Sequence, residues 1–331
     1  MAGIDYFDLN YDFISSLFAK IHRSFANFSE VCTRVMKYYL SAVTGFAIWG
    51  TFAWVLKPLS AFAALDILIH RVIFATISIV VACIVFRRKE ITASIHYLSD
   101  TPRKEKFMLA INIFLSAVML GLNWFLFIYV MNSVSVNATS LAYLICPILA
   151  TVLARIFLHE QLNKGQWLAV LLSVVSCVIL AYGHFMDLLY SMLIALSYAI
   201  YLVLQKNRFR MDKFITLTLH IVLSTFLLLP ILLFVDATDT KPVLFYSLVT
   251  VIAVVYTIIP LFLNIYALKG LNSSIVGTLL YLNPIISFLL AVFYYKEPIN
   301  TAQIVAFGMI FTAVVVFNVA YLYGKKKNID H

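Results

Sequence analysis

The sequence predicts an all-α polytopic membrane protein: ten transmembrane helices arranged as two inverted five-helix repeats, with both termini cytoplasmic. Three observations carry that expectation. The first is composition. Of 331 residues, 63% are hydrophobic and only 12% charged, whereas soluble domains run at roughly 45–50% apolar and about 25% charged because their surfaces need solvation. Such a chain cannot cover a water-soluble core, and the same numbers exclude disorder and a soluble nucleotide-binding fold. The second is where the cations sit. The formal charge of +9 is spread as short clusters between apolar runs, the pattern of membrane topology and not of a nucleic-acid surface. The third is an internal repeat, developed below.

A helix needs about 20 apolar residues to cross a hydrocarbon core of roughly 30 Å. Walking the chain with that length gives spans near 38–56, 65–86, 107–131, 135–158, 166–183, 186–204, 214–235, 243–268, 273–295 and 300–323. The joints are short, so no room remains for a soluble catalytic domain. With the N-terminus inside, nineteen of the 24 lysines and arginines fall on inner segments. Only Lys57, Lys241 and Lys296 fall on outer ones, and Arg71 and Arg155 lie within spans. An even number of spans follows, and ten fits. Residues 1–37 form a leader with two readings. Ile14, Leu17, Phe18, Ile21, Phe25 and Phe28 recur at helical spacing, as in an interfacial amphipathic helix. The blander reading, favoured here, is that translation starts at Met36 and the leader is not native. Residues 324–331 are expected to form a basic cytoplasmic tail.

Sliding the chain by 137 positions lays the fourth span on the ninth without a gap. Pro147 meets Pro284, Glu160 meets Glu297, Asn163 meets Asn300 and Gln166 meets Gln303. Proline, glutamate, asparagine and glutamine are scarce in apolar chains, so four such pairs in register are hard to obtain by accident. The shift moves each helix five places along, which reverses its direction across the bilayer. Residues 38–183 and 186–323 are therefore expected to be two halves of opposite polarity, the architecture recurrent in secondary transporters. Two packings of such halves expose one central site to either side in turn.

Candidate site residues are the polar groups inside spans. Arg71 stands first, in "DILIHR", because a charge within a span is functional by default. It either binds an anionic or strongly polar substrate group, pairs with Asp66, or reaches up to the interface. His70, one turn from Asp66, either carries a coupling proton or hydrogen-bonds its neighbour. Asn123 and Trp124 suit an amphipathic or aromatic solute, or serve helix adhesion, with Ala117 and Gly121 allowing close approach. Pro147 and Pro284 follow Tyr143 and Tyr281 near mid-span, where each proline frees a carbonyl for substrate or supplies a gating flex point, or merely kinks the helix. Asn283, Trp49 and Asn264 are further candidates for substrate contact. Glu160 and Glu297, present in both halves, are read as capping or turn-fixing acids near the next helix's N-terminus. Arg155 is expected to snorkel, and His220 to be a satisfied core histidine. The four cysteines are scattered without ligand spacing, no phosphate-binding loop occurs, and neither a metal nor a cofactor is expected.

Several stretches also resemble the EamA/RarD-type permeases of the drug/metabolite transporter superfamily. They are "AIWGTFAWVLKP", "DILIHR", "LGLNWFLFIYVMN", "SLAYLICPILATVLARIFLHEQLNKGQWLAV" and, in the second half, "LLYLNPIISFLLAVFYYKEPI". The resemblance covers the chain from Met36 onward. It implies a five-plus-five fold in the bacterial inner membrane, a cavity lined by spans one, three, four, six, eight and nine, and export of small metabolites or drugs. The expectation is thus a secondary transporter of a small metabolite or amphipathic drug, with a proton or other ion as possible coupling partner and the lipid bilayer as surroundings. Two alternatives stay open at this point: a membrane-embedded enzyme acting on a lipid headgroup, and a flippase for a lipid precursor.

Overall fold

The computed structural model describes residues 35–133, 136–182, 185–206, 209–230, 241–296 and 301–327. The leader to residue 34 and Glu297 lie outside them. Among the described residues there are helices and no strands. In chain order they are α1 (Val35–Leu59), α2 (Ala64–Phe86), α3 (Arg88–Asp100), α4 (Arg103–Ser133) and α5 (Val136–Phe157). Then follow α6 (Lys164–Ala181), α7 (Phe185–Gln205), α8 (Lys213–Leu228), α9 (Val243–Ala267) and α10 (Ser273–Tyr294), and α11 (Thr301–Lys327). Eight are long and apolar enough to cross a membrane, and the apolar stretches Leu141–Phe157 and Lys213–Leu228 are shorter. Large side chains such as Ile77, Phe86, Phe107, Leu171, Phe226 and Phe311 are exposed on their outer faces. A soluble monomer does not present apolar surface on that scale; a polytopic membrane protein must.

Helix α3 is a finding the hydropathy reading missed, because its sequence, "RKEITASIHYLSD", is polar enough to pass for a basic joint. The expected basic tail is partly helical as well, since α11 runs on to Lys327.

Small residues decide which helices touch, because without a hydrophobic driving force in lipid, close backbone approach is what binds helices. Gly121 of α4 lies against Ser224 of α8, whose hydroxyl donates to Ala117 O at 2.8 Å. Gly45 of α1 meets Pro260 and Leu263 of α9, and Gly50 of α1 meets Ile286 of α10. Gly277 of α10 sits on Ala150 of α5, and Gly165 of α6 on Ala320 of α11. The remaining principal contacts are α5 with α7, α4 with α7, and α2 with both α8 and α9.

Helix ends gather into two sets. At the cation-rich end Glu160 meets Ser273, Lys206 meets Leu268 and Asn163 meets Ala320. At the opposite, cation-poor end Lys57 lies over the Tyr295 ring at 3.6 Å and Lys241 pairs with Asp66 at 2.9 Å. Among the described residues two other than glycine have positive φ, His159 at 53° and Lys296 at 56°, and they are 137 positions apart. At the first, the Glu160 amide reaches back to Ala154 O at 3.3 Å, the long-range bond that closes a helix C-terminus over a left-handed residue.

Candidate functional site

A cavity of about 850 Å³ opens between the halves. Its upper wall, near the cation-poor end, includes Leu56, Tyr182, Asp187 and Gln303; deeper lie Trp49, Arg71, Asn123, Trp124, Tyr143, Tyr198 and Tyr256. Asn283, Pro284 and Ser287 complete the far side. Among the described residues nine helices contribute, α1, α2, α4 to α7 and α9 to α11, so α2, α6 and α11 join the six spans that the resemblance implied.

The polar anchors of this wall come from a deformation in α9. Proline 260 has no N–H to offer the carbonyl four residues earlier, at Tyr256, and its ring crowds that carbonyl. The helix widens there into a π turn over Val254–Ile258, a feature that concentrates at functional sites. The indole of Trp49 takes up the released acceptor, its Nε1 donating to Tyr256 O at 2.8 Å. In the same turn the Thr257 hydroxyl donates to Ile252 O at 2.9 Å and so accepts from Arg71 Nε, also at 2.9 Å. Arg71 does not pair with Asp66, whose carboxylate is held by Lys241. Its guanidinium carbon lies 5.2 Å from the Trp124 ring centre, a cation–π arrangement.

Asn123 donates from Nδ2 to Ile194 O (3.0 Å) and Ser197 Oγ (3.1 Å). Both amide hydrogens are thereby used. Tyr198 packs edge-on against Trp49 with ring centres 5.9 Å apart, and its hydroxyl accepts from Asn264 Nδ2 at 2.7 Å. Asn264 is 1% exposed and stands behind Tyr198, not in the cavity wall. Ser287 Oγ donates to Gly50 O at 3.0 Å, tying the Asn283–Pro284 segment of α10 to α1.

Six of the nine candidate contact residues therefore share one cavity: Trp49, Arg71, Asn123, Trp124, Tyr143 and Asn283. His70 is not among its lining. Nδ1 of His70 is 2.8 Å from the Asp66 backbone carbonyl, and its ring is wedged edge-on against Phe245 and Tyr246. Tyr281 is 2% exposed and, with Pro147 and Ser173, bounds a separate small void on the far side of α5. Pro284 lines the large cavity. The sequence reading passed over Tyr198, Tyr256, Thr257 and Ser287; the signal that would have found two of them is Pro260, a proline in the middle of an apolar span. His220 is fully buried, and neither of its ring nitrogens has a hydrogen-bond partner.

The cation-rich end of the bundle is tied together by hydrogen bonds between helices. The Glu160 carboxylate caps not the helix that follows it but the start of α10, accepting from Ser273 N (2.7 Å), Ser274 N (3.1 Å) and the Ser274 hydroxyl. An acid at a helix N-terminus meets both free amides and the positive end of the dipole. The following helix has its own cap, a reciprocal box between Asn163 and Gln166. Beside Glu160, Lys206 Nζ donates to Leu268 O at 2.6 Å and to Leu271 O. Burial lowers the Lys206 pKa below its ordinary 10.5, an effect the Glu160 charge opposes. Among the described residues no cluster of three His, Cys, Asp or Glu is placed to hold a metal ion.

Comparison with known proteins places this architecture. Residues 36–182 and 186–319 each match the EamA-like transporter family. The protein RarD of Escherichia coli (strain K12) is 30% identical over 296 residues, 87% of this chain and 96% of that protein. An uncharacterized transporter of Bacillus subtilis (strain 168), YojE, is 28% identical over 301 residues, 89% of this chain and 98% of its own. A solved crystal structure with 15% identity superposes with a TM-score of 0.68, covering 85% of this chain and 97% of that one, a likeness of fold alone.

Proposed function

The chain belongs to the EamA-like transporter family, a multi-pass transporter of the bacterial inner membrane and not an enzyme, and from that premise we propose that it is a secondary exporter of a small metabolite or amphipathic drug. It works by alternating access between two inverted five-helix halves, residues 38–183 and 186–323, each crossing the membrane five times. Both termini are cytoplasmic. The export is driven by a proton or other ion gradient, or runs as exchange.

The observation that carries the mechanism is the unequal state of the two ends. A cavity wide enough for a drug-sized solute (about 850 Å³) reaches the cation-poor end, while Glu160 and Lys206 hold the cation-rich end together. By the distribution of positive charge the open end is external, so the conformation is outward-facing. Two further observations support inverted halves. The C-terminal end of α5 meets the N-terminal start of α10 through Glu160 and Ser273, as antiparallel counterparts must. The helix neighbours also map onto themselves when every helix is exchanged for its counterpart. The pairs α4–α7, α4–α8 and α5–α7 become α9–α1, α9–α2 and α10–α1, all of which are in contact.

Substrate contact falls to Arg71, Trp49, Asn123, Trp124, Tyr143 and Asn283, with Asn264 supporting Tyr198 from behind and His70 and Tyr281 packing outside the cavity. Pro147 and Pro284 are the flex points. The repeat-paired acids Glu160 and Glu297 keep the capping or turn-fixing role that their repetition suggests. Counterflow of candidate solutes in proteoliposomes, with and without a pH gradient, tests the reading. Transport that falls at least tenfold in Arg71→Ala and persists in Arg155→Ala is expected; product formation without solute movement refutes it.

A further inference from the structure

Resting on the transporter reading, we infer that the cavity is built for an aromatic monoanion, a planar carboxylate carried on one or two rings, with Arg71 as its receptor. The fate of the five guanidinium N–H donors decides this. Nε is committed to Thr257 Oγ1 at 2.9 Å, and Thr257 must accept, because its own proton goes to Ile252 O. The Trp124 ring, 5.2 Å from the guanidinium carbon, adds a cation–π contact on another side. The terminal nitrogens Nη1 and Nη2 have no protein acceptor among the described residues, yet Arg71 lines the cavity. A guanidinium held through Nε, beside an aromatic ring and lining the cavity, offers its terminal nitrogens as a fork for a planar oxyanion.

Charge and surface narrow the class further. Among the described residues Arg71 is the one cation in the lining. The one lining acid, Asp187, stands in the first turn of α7, at the cation-poor end. A monoanion is thereby neutralised, whereas a dianion would bring a second charge into the membrane interior uncompensated. The rings of Trp49, Phe127, Tyr143, Tyr198 and Phe288 face the same space, which suits a flat aromatic body better than a flexible chain.

The probes are naphthoate, naphthamide and naphthylmethylamine, which share a ring and differ in charge, with octanoate as a carboxylate lacking the ring. Binding to the full chain in lipid nanodiscs is read by calorimetry. Naphthoate is expected to bind about 10- to 100-fold more tightly than naphthamide, the span of a charge-assisted hydrogen-bonded pair, and more tightly than octanoate; the amine binds least. Arg71→Gln brings naphthoate down to the affinity of the amide and leaves the amide unchanged. Arg71→Lys, which keeps charge but loses the fork, falls between. Thr257→Ala, which frees the fork without removing it, lowers the naphthoate preference several-fold while sparing the amide, and serves if Arg71→Gln fails to fold. Equal affinity for the three naphthyl probes, no binding of any, or a preference that survives Arg71→Gln overturns the inference. So does octanoate matching naphthoate. Counterflow separates the two levels: amide movement without a carboxylate preference leaves transport standing and removes the anion site, whereas Arg71-dependent binding without flux leaves the site standing and removes transport.

Discussion

Helices α5 and α10 carry the same proline in register and end on the same left-handed turn, yet they have different shapes. Helix α5 runs unbroken from Val136 to Phe157 with Pro147 inside it. Helix α10 stops as an α-helix at Leu279, resumes at Leu282 and loosens into a π turn at Leu290–Tyr294. The pair α4 and α9 repeats the contrast, α4 being continuous over 31 residues and α9 π-widened at Val254–Ile258. Most of the polar groups that these two pairs place at or just behind the cavity wall sit on the deformed helices, namely Tyr256 O, Thr257, Asn283 and Ser287, with Asn123 of α4 the exception. The regular ones supply ring surface through Trp124, Phe127 and Tyr143. Similar sequences thus divide the labour because one half is bent and the other straight, and exchange between two such packings is what alternating access requires.

The hardest way to break the comparison is to remove the contact through which α5 holds α10. Glu160→Ala leaves two amides and a hydroxyl at the α10 start without their acceptor. It is expected to shift the equilibrium by about 2 kcal/mol, roughly thirty-fold in the ratio of closed to open cation-rich ends. Modification of the buried, mid-span Cys146 by a thiol reagent applied at that end reads the change; unchanged rates would show the cap to be dispensable.

Exchange of the prolines comes next. Pro147→Ala and Pro284→Ala are both expected to slow counterflow roughly tenfold, on the order of 1.4 kcal/mol in barrier. Only Pro284→Ala is expected to alter the resting state, monitored by tryptophan fluorescence. Loss of flux in Pro284→Ala alone would mean that the asymmetry is permanent and the halves do not exchange.

A smaller effect tests the packing of α1 on the bent helix. A Cβ at Gly50 would lie 2.6 Å from Ile286 Cβ, while one at Gly308 meets nothing within 4 Å. Gly50→Ala is expected to destabilise by about 1–3 kcal/mol, and Gly308→Ala to be neutral or stabilising by up to about 1 kcal/mol, in unfolding from detergent.

The smallest expected effect is on pH. Burial holds the Lys206 pKa below 10.5, so between its folded and ordinary values the unfolded chain binds the extra proton and stability rises with pH. Melting of the wild type minus that of Lys206→Gln, followed from neutral pH to about 10, is expected to slope upward; a flat difference removes Lys206 from the bonds that tie the cation-rich end.

Much of this was legible in one dimension. Eight of the ten spans read from hydropathy coincide within a few residues with helices long and apolar enough to cross a membrane, because a lipid-facing helix must be apolar along its whole length, while the fourth and seventh fall on shorter apolar stretches, Leu141–Phe157 and Lys213–Leu228. Arg71 and Asn123 stood out for the same reason, as polar groups in apolar runs. Tyr143 and Tyr281 looked equivalent and are not. Each precedes a proline, but by four residues in one case and three in the other, about a hundred degrees of helix rotation, and only Tyr143 faces the large cavity.

Composition and the 137-residue offset by themselves determined the class, most of the helices and the presence of two related halves, since those follow from periodicity and the energetics of burying charge. Which half bends, where Glu160 finds its amides and which edge of Arg71 meets the cavity were decided only by tertiary packing. A proline releases a carbonyl in every helix that contains it, but what takes the place of the lost bond depends on the neighbour that happens to lie across it, Trp49 in the case of Tyr256.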